Sequence, residues 1–161
     1  LYAVPTPADA NLWHAPNLLL QKFPAPAFTV TTHLTFRPKV KDERTGLVVM
    51  GYDYAYVALR NTGNGLQLVQ CECTDANGDP SLQEIAGANL AGESVTLRVS
   101  VGKGALCRFS YSEDGQAFTP IGREFQARQG HWIGAKVGLF CINPSPEPSG
   151  GFADFSWFRF E

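Results

Sequence analysis

Three tyrosines in the segment GYDYAYVALR have the spacing of a surface that could stack on sugar rings. Tyr52, Tyr54 and Tyr56 lie two residues apart, so an extended strand places all three rings on one face of its sheet. Aromatic rings stack on the apolar faces of pyranoses while neighbouring polar groups bind the hydroxyls. The alternative is a packed inner face with the phenol hydroxyls at its rim, and the preceding apolar segment LVVMGY favours that alternative.

Two pairs of tryptophan and histidine stand beside predicted elements. Trp13 and His14 lie in a proline-rich N-terminal segment, and His131 and Trp132 directly precede IGAKVGLF. A large ring at the end of an element is commonly half exposed and open to a partner. It can equally cover the core with its N–H in a hydrogen bond. The sequence supports both interpretations.

Acidic residues at two places are candidates for a structural calcium site. In DANGDP, Asp75, Asn77 and Asp79 occupy positions 1, 3 and 5 of a calcium-loop pattern. The pattern fails at positions 6 and 12, where proline and alanine stand instead of glycine and glutamate. Asp154, in the closing segment GFADFSWFRF, either contributes one calcium ligand or accepts backbone N–H groups near the start of a strand. The second role is favoured, because calcium needs six or more oxygen ligands.

The familiar catalytic motifs are missing from the sequence. It has no GxSxG elbow, no HExxH, no P-loop and no dinucleotide-binding GxGxxG. The three histidines, His14, His33 and His131, have no spacing that joins them in a metal triad. A carboxylate pair for glycoside hydrolysis stays open among 15 acids, but several of these acids sit in hairpin turns, where a solvated role is commoner.

The charge balance limits the partners. With 13 Lys and Arg against 15 Asp and Glu, and no basic cluster, the chain has no electrostatic signature of nucleic-acid or anionic-membrane binding. Neutral polar ligands fit better. No apolar run approaches the length of a membrane helix, and LYAVPTPADA lacks the order of a signal peptide. This end of the sequence indicates neither a compartment nor export.

The four cysteines are predicted to be buried thiols. Cys71 and Cys73 lie two apart, so in a strand they point the same way and are too close in sequence to bridge comfortably. Two disulfides with Cys107 and Cys141 are the less favoured alternative. A four-cysteine zinc site would need CxxC pairs, which the sequence lacks.

Alternation of apolar and polar residues predicts an all-β fold. In FTVTTHLTF, every second residue from Phe28 to Phe36 faces one side, and Gly, Asn and Asp mark the turns NTGNG, DANGDP, GKG and EDG. Without any helical periodicity, this pattern favours one two-sheet antiparallel β-sandwich over residues 1–161, and the closing strand is predicted to be central and buried. Further strands are predicted near residues 46–52, 54–60, 66–74, 82–86, 94–101, 105–112, 117–121, 132–142 and 152–160.

Residues 1–27 form a proline-rich arm. Its prolines at positions 5, 7, 16, 24 and 26 exclude a central strand outside NLLLQK. We expect the arm to wrap a sheet edge or to continue from a catalytic domain that precedes it in a longer chain.

Four stretches in order resemble one family. They are APNLLLQKFPAPAFTVTTHLTF, GLVVMGYDYAYVALR, FSYSEDGQAFTPIG with WIGAKVGLFC, and GGFADFSWFRF. They are similar to the C-terminal β-sandwich that follows the five-bladed catalytic propeller of family 43 glycoside hydrolases, of the β-xylosidase and α-L-arabinofuranosidase type. The resemblance implies a concanavalin A-like jelly roll. It also implies that the catalytic carboxylates belong to the propeller and not to this chain.

The resemblance implies a non-catalytic accessory domain of a xylan-degrading enzyme. Such a sandwich packs on the propeller of its own parent chain, and GHWIGAKVG resembles a segment that leads into the active-site rim. His131 or Trp132 would then form part of the substrate-pocket wall. The chain begins near the end of the family's first segment, so it is expected to lack one strand and to expose a sheet edge through which it dimerises.

Two other functions stay open. The alternative is a free-standing carbohydrate-binding module for xylan or arabinoxylan oligosaccharides, with Tyr52, Tyr54, Tyr56 or Trp132 as stacking rings. A laminarinase-like or lectin-like sandwich with its own activity is the third, but the sequence has no ExDxxE arrangement for it.

Overall fold

Thirteen short strands make up most of the computed structural model, which describes residues 1–6, 11–130 and 134–161. Two 3-10 turns occupy Leu12–His14 and Lys103–Ala105. The strands in these ranges are β1 (Val4–Pro5), β2 (Leu19–Lys22), β3 (Phe28–Arg37), β4 (Arg44–Met50), β5 (Tyr54–Asn61), β6 (Leu66–Thr74), β7 (Ser81–Asn89), β8 (Ser94–Gly102), β9 (Leu106–Ser112), β10 (Thr119–Pro120), β11 (Phe125–Gln126), β12 (Lys136–Asn143) and β13 (Phe152–Phe160).

The strands form two sheets, which confirms the predicted β-sandwich. One sheet has the order β1-β12-β4-β5-β6-β7, with β2 also paired to β12, and the other has the order β10-β9-β8-β3-β13, with β11 also paired to β9. Pairing is antiparallel apart from the two-residue contact of β1 with β12. The first will be called the seven-stranded sheet and the second the six-stranded sheet.

Strand alternation fills the space between the sheets with apolar side chains. Every second residue of β3 is buried, from Phe28 to Phe36, as the pattern predicted. The seven-stranded sheet contributes the facing layer, because alternate residues of β4, β5 and β12 point the same way. Fully buried members of this core include Val30, Leu34, Phe36, Leu47, Val49, Val57, Leu59, Leu97, Val99 and Val137.

The outer face of the seven-stranded sheet is also apolar. Its buried side chains form a second cluster, which includes Val48, Tyr54, Tyr56, Val69, Cys71, Phe140 and Ile142. The N-terminal arm covers part of this face with Leu12, which is fully buried, and with Trp13 and Leu18. The arm therefore shields a face that alternation alone would leave in water.

The arm also joins the edges of the two sheets. Ala3 donates to the Gly151 carbonyl and Ala153 donates to the Leu1 carbonyl, beside β13 of the six-stranded sheet. Val4–Pro5 then pair with β12 of the seven-stranded sheet, and β2 pairs with the same strand. The edge of β12 is thus covered, while in the described ranges β7 pairs only with β6. Dimerisation through an exposed edge stays a prediction.

The prediction of a central closing strand was wrong. β13 lies at the end of the six-stranded sheet, and its full-length partner is β3. A bulge between Phe155 and Trp157 resets its alternation. Ala153 and Phe155 contact the core before the bulge, and Phe158 and Phe160 contact it after. Trp157 and Arg159 therefore face outward, because one extra residue reverses the side of the strand on which the following side chains lie.

All four cysteines are buried as thiols. Burial raises the pKa of Cys107 and Cys141 to about 12. Cys107 lies on β9 and Cys141 on β12, in different sheets, and both act as small apolar side chains of the core.

Candidate functional site

The three tyrosines do not form a sugar-stacking surface. Tyr54 is 0% and Tyr56 1% exposed, because the outer face of their sheet is packed under other residues. The backbone N–H of Leu12 donates to Tyr54 Oη at 3.3 Å, and Arg44 Nη1 donates to Tyr56 Oη at 3.1 Å. Burial raises the pKa of both phenols above the ordinary value. Tyr52, half-buried, lies in the turn before β5. For Tyr54 and Tyr56 the candidate stacking role is therefore corrected to the packing role that the sequence favoured, and Tyr52 stays a candidate.

One end of the seven-stranded sheet carries a cavity of about 300 Å³. It lies where β4 ends and β12 begins, and the N-terminal arm forms one wall. The lining residues are Trp13, Leu18, Leu20, Met50, Gly51, Gly130, Gly134 and Lys136. The name "loop end" is used below for this end of the sandwich, with residues 51–53, 75–79, 127–130 and the arm residues 11–18.

Trp13 gives the cavity a polar atom without a partner. Its side chain is half-buried, and its indole Nε1 is buried with no hydrogen-bond partner among the described residues. A buried N–H donor without an acceptor costs about 1–3 kcal/mol. His14, the other member of this pair, is exposed. Half-exposure of Trp13 agrees with a ring that is open to a partner.

His131 and Trp132, the predicted pocket wall, lie outside the described residues. The residues on either side of residues 131–133 are described. Gly130 N donates to the Gly134 carbonyl at 3.2 Å, in an isolated antiparallel bridge. Both glycines line the cavity, so the chain enters and leaves 131–133 at the loop end.

The base of this loop is fixed by a close approach and an ion pair. A Cβ on Gly51 would lie 1.7 Å from the Arg128 carbonyl oxygen, so only glycine allows the β4–β5 turn to touch the loop. Arg128 Nη1 lies 3.0 Å from Asp53 Oδ2, and the Asp53 side chain is 9% exposed. The pair therefore ties the loop to the turn, with the carboxylate buried and the guanidinium largely exposed.

Asp53 also ties the neighbouring turn to the same place, and Asn11 joins the arm to that turn. Its Oδ1 accepts from the Asp75 backbone N–H at 2.9 Å. Ala76 donates its N–H to the Tyr52 carbonyl, and Asn11 Nδ2 donates to the Ala76 carbonyl at 2.7 Å. Asp53 was missed as a functional residue in the sequence. The available signal was an acid in a tight turn between two apolar strands.

In DANGDP, Asp75 and Asp79 are joined by a hydrogen bond within the turn that they form. Asp75 has a positive φ of 50°, and its Oδ2 accepts from the Asp79 backbone N–H at 3.1 Å. Asp154 is exposed. Within residues 1–6, 11–130 and 134–161, no three His, Cys, Asp or Glu side chains are grouped closely enough to hold a metal. A calcium ion at Asp154, or at Asp75, Asn77 and Asp79, stays a prediction.

The buried carboxylates of the described ranges are engaged in structural contacts. Glu43 is 0% exposed and accepts from the backbone N–H of Val40 at 3.0 Å and from the Ser149 hydroxyl. Glu72 pairs with Arg123 at 2.6 Å, and Asp53 pairs with Arg128. These contacts occupy the carboxylate oxygens and tie each group to its neighbours, which is a structural role. No helix of the described residues is both long and apolar enough to cross a membrane.

The sequence of residues 1–161 matches the family model of the β-xylosidase C-terminal concanavalin A-like domain. No curated protein matches the sequence significantly. Among solved structures, the chain is similar to a GH43 glycoside hydrolase engineered for both endo-xylanase and exo-arabinofuranosidase activity (TM-score 0.88, 18% identity, 100% of this chain and 34% of that chain). It is also similar to a xylan β-1,4-xylosidase from Bacillus halodurans C-125 (TM-score 0.80, 20% identity, 100% and 32%).

A GH43 protein from Bacillus licheniformis is similar to the same extent (TM-score 0.80, 20% identity, 99% of this chain and 32% of that chain). The chain thus spans about a third of the length of these three proteins. At such identities the likeness shows a shared fold, and the family match over the whole chain shows the relationship.

Proposed function

Because the chain belongs to the family of β-xylosidase C-terminal concanavalin A-like domains, we propose that it is the non-catalytic accessory β-sandwich of a xylan-degrading glycoside hydrolase. It packs on a catalytic propeller of the same parent chain and helps to shape the substrate pocket there. The family relationship inferred from the four sequence stretches is confirmed. The accessory role and the xylan substrate are the parts that we add.

The construction of the loop end carries this proposal. Gly51, Asp53 and Arg128 hold the base of one loop rigidly on the body of the sandwich. An apolar cavity and the unpartnered indole N–H of Trp13 lie beside it. A fixed base beside an apolar cavity is suited to contact with another folded domain, because docking buries the apolar surface.

At this end the sandwich acts by positioning. The bridge between Gly130 and Gly134 fixes where residues 131–133 begin and end. His131 or Trp132 would then contribute a wall of the propeller's substrate pocket, and sugar would be held by both domains. The binding of the buried carboxylates Glu43, Asp53 and Glu72 by backbone or arginine donors supports a non-catalytic role.

A free-standing module for neutral xylan fragments gains no support from the tyrosine row. Stacking requires rings in contact with solvent, and Tyr54 and Tyr56 are inside the second apolar cluster. The remaining candidate of the row, Tyr52, is half-buried in a turn.

The chain alone tests the proposal. Xylobiose to xylohexaose titrated calorimetrically to millimolar concentration should give no binding heat, and aryl β-xylosides and aryl α-L-arabinofuranosides should not be hydrolysed. Turnover abolished by substitution of a carboxylate in this chain would refute the non-catalytic role. Tight binding of neutral xylo-oligosaccharides would instead support the free-standing module.

A further inference from the structure

The outer face of the six-stranded sheet carries a cavity of a different character. Its volume is about 200 Å³, and it is lined by polar, cationic and aromatic side chains instead of aliphatic ones. A water molecule takes about 30 Å³ of liquid, so the cavity has the volume of roughly six to seven water molecules. This space is comparable to that of one sugar ring. Its lining residues are Thr31, Thr96, Arg98, Gly115, Phe118, Trp157, Arg159 and Glu161. This set is called the arginine face below.

Two arginines of this face form no ion pair with a carboxylate of the described residues. The chain contains eight arginines, and five of them pair with Asp or Glu, namely Arg37, Arg60, Arg108, Arg123 and Arg128. Arg44 is buried against the Tyr56 hydroxyl. The two that remain, Arg98 and Arg159, line the same cavity. Two guanidinium groups and one acid, Glu161, line this small cavity, so the side chains of the lining carry a net positive charge.

Aromatic rings hold both guanidinium groups in place. Arg98 Cζ lies 3.5 Å from the centroid of the Phe118 ring, and Arg159 Cζ lies 4.6 Å from the Trp157 ring. Arg98 Nε also donates to Thr31 Oγ1 at 3.1 Å, which leaves its two terminal amino groups for a ligand. A stacked guanidinium is a pre-oriented fork that fits a carboxylate.

The Trp157 ring is itself fixed from the other side. The His33 ring stacks beside it with centroids 6.5 Å apart and planes at 22°. His33 Nδ1 lies 3.1 Å from Thr96 Oγ1. Thr31 and Thr96 are 5% and 4% exposed although they lie on the outer side of the sheet, so the aromatic and arginine side chains already form a covered, ordered floor.

From these contacts we infer that the arginine face binds a uronic acid unit of an acidic oligosaccharide. The carboxylate pairs with Arg98 and Arg159, and the sugar ring lies against the aromatic edges with its hydroxyls near the threonines. Glu161 is the acid on the lining and opposes an anion. This site lies on the sheet opposite the loop end and is independent of the proposed contact with a propeller.

Titration of the chain with sodium glucuronate tests the inference, with xylose as the neutral control and sodium sulfate as the control for charge alone. Glucuronate should bind with a dissociation constant on the order of millimolar and shift the amide signals of β3, β8 and β13 in NMR spectra. Xylose and sulfate should bind at least tenfold more weakly.

Substitutions test which residues of the arginine face bind glucuronate. Arg98→Gln and Arg159→Gln should each weaken glucuronate binding at least tenfold, and Glu161→Gln should strengthen it. Arg108→Gln, which removes an exposed arginine of the same sheet that is paired with Glu124, is the matched control and should change nothing. Arg159 is exposed, so its variant keeps the test valid if Arg98→Gln fails to fold. Equal binding of sulfate and glucuronate, or binding unchanged in Arg159→Gln, would overturn the inference.

Discussion

At the scale of single residues, burial decides the role of a side chain more than its type does. Tyr54 and Tyr56 have the chemistry of a sugar platform, yet they lie in a closed cluster with their hydroxyls bound by Leu12 and Arg44. Asp53 resembles an ordinary turn acid, yet it joins its own turn to the Asp75 turn and to Arg128 in the loop. Asp53 therefore helps to hold the loop end together, whereas Tyr54 and Tyr56 are part of the packing.

Buried phenols make the fold sensitive to high pH. The pKa of Tyr54 and Tyr56 is raised above the value of about 10 for a free phenol. Their contribution to stability is complete below pH 10 and is lost as the pH rises above it, because the unfolded chain then releases protons that the folded chain keeps. Ultraviolet titration should show fewer than the five tyrosines ionising before the chain unfolds. Ionisation of all five near pH 10 with the fold intact would contradict the burial.

Asp53→Asn should loosen the loop end. Asparagine keeps an acceptor for the Asp75 N–H but loses the ion pair with Arg128. Because the Arg128 side chain is 63% exposed, we expect a loss of only about 1 kcal/mol in the free energy of unfolding. Glu93→Gln removes an exposed pair with Arg37 and should cost almost nothing. Denaturant unfolding of the two variants checks this, and equal values would remove the special role of Asp53.

At the scale of elements, the N-terminal arm completes the sandwich by contacting both sheets. Its pairing with β12 depends on Gly138, where a Cβ would lie 1.9 Å from the Leu19 carbonyl oxygen. A short strand with prolines nearby can pair at an edge only if the neighbouring backbone comes this close.

Gly138→Ala should therefore detach β2 from β12. We expect a loss of about 1–3 kcal/mol in stability, the usual cost of overpacking, and faster amide exchange in residues 19–22. Gly92→Ala is the control, because a Cβ there has only one atom within its reach, 4.0 Å away. If both variants have the stability of the original chain, the close approach does not support the arm.

Local sequence patterns predicted the bounds of the strands better than they predicted which side chains face the core. The bounds of β6 and β13 agree with the predicted 66–74 and 152–160, since alternation and turn residues are local signals. The predicted strand at 117–121 shrinks to Thr119–Pro120, because Pro120 has no N–H to donate. The bulge in β13 could not be predicted, since one extra residue leaves the apolar composition unchanged while reversing which side chains face the core.

The contacts made by the arm could not be predicted from the sequence either. Alternation places Tyr54 and Tyr56 on one face of a sheet, but it does not say whether water or another segment covers that face. Only the packing of Leu12 and its neighbours decides this. The arginine face was missed for a similar reason, because Arg98, Phe118 and Trp157 come from separate strands and turns.

At the scale of the whole molecule, the three surfaces differ in what they can do. The outer face of the seven-stranded sheet is closed by apolar packing, the loop end presents an apolar cavity with an unsatisfied N–H, and the arginine face presents cations. This distribution agrees with the proposed contact between the loop end and another domain.

The most direct test of the accessory role is the kcat/KM of the full parent enzyme on an aryl β-xyloside or α-L-arabinofuranoside. His131→Ala and Trp132→Ala are compared with the control Arg108→Gln on the far sheet. We expect at least one of the two loop variants to lower kcat/KM roughly tenfold or more, the effect of removing one wall of a substrate pocket, with unchanged thermal unfolding. Values equal to the control in both loop variants would contradict the proposal that this sandwich shapes the pocket.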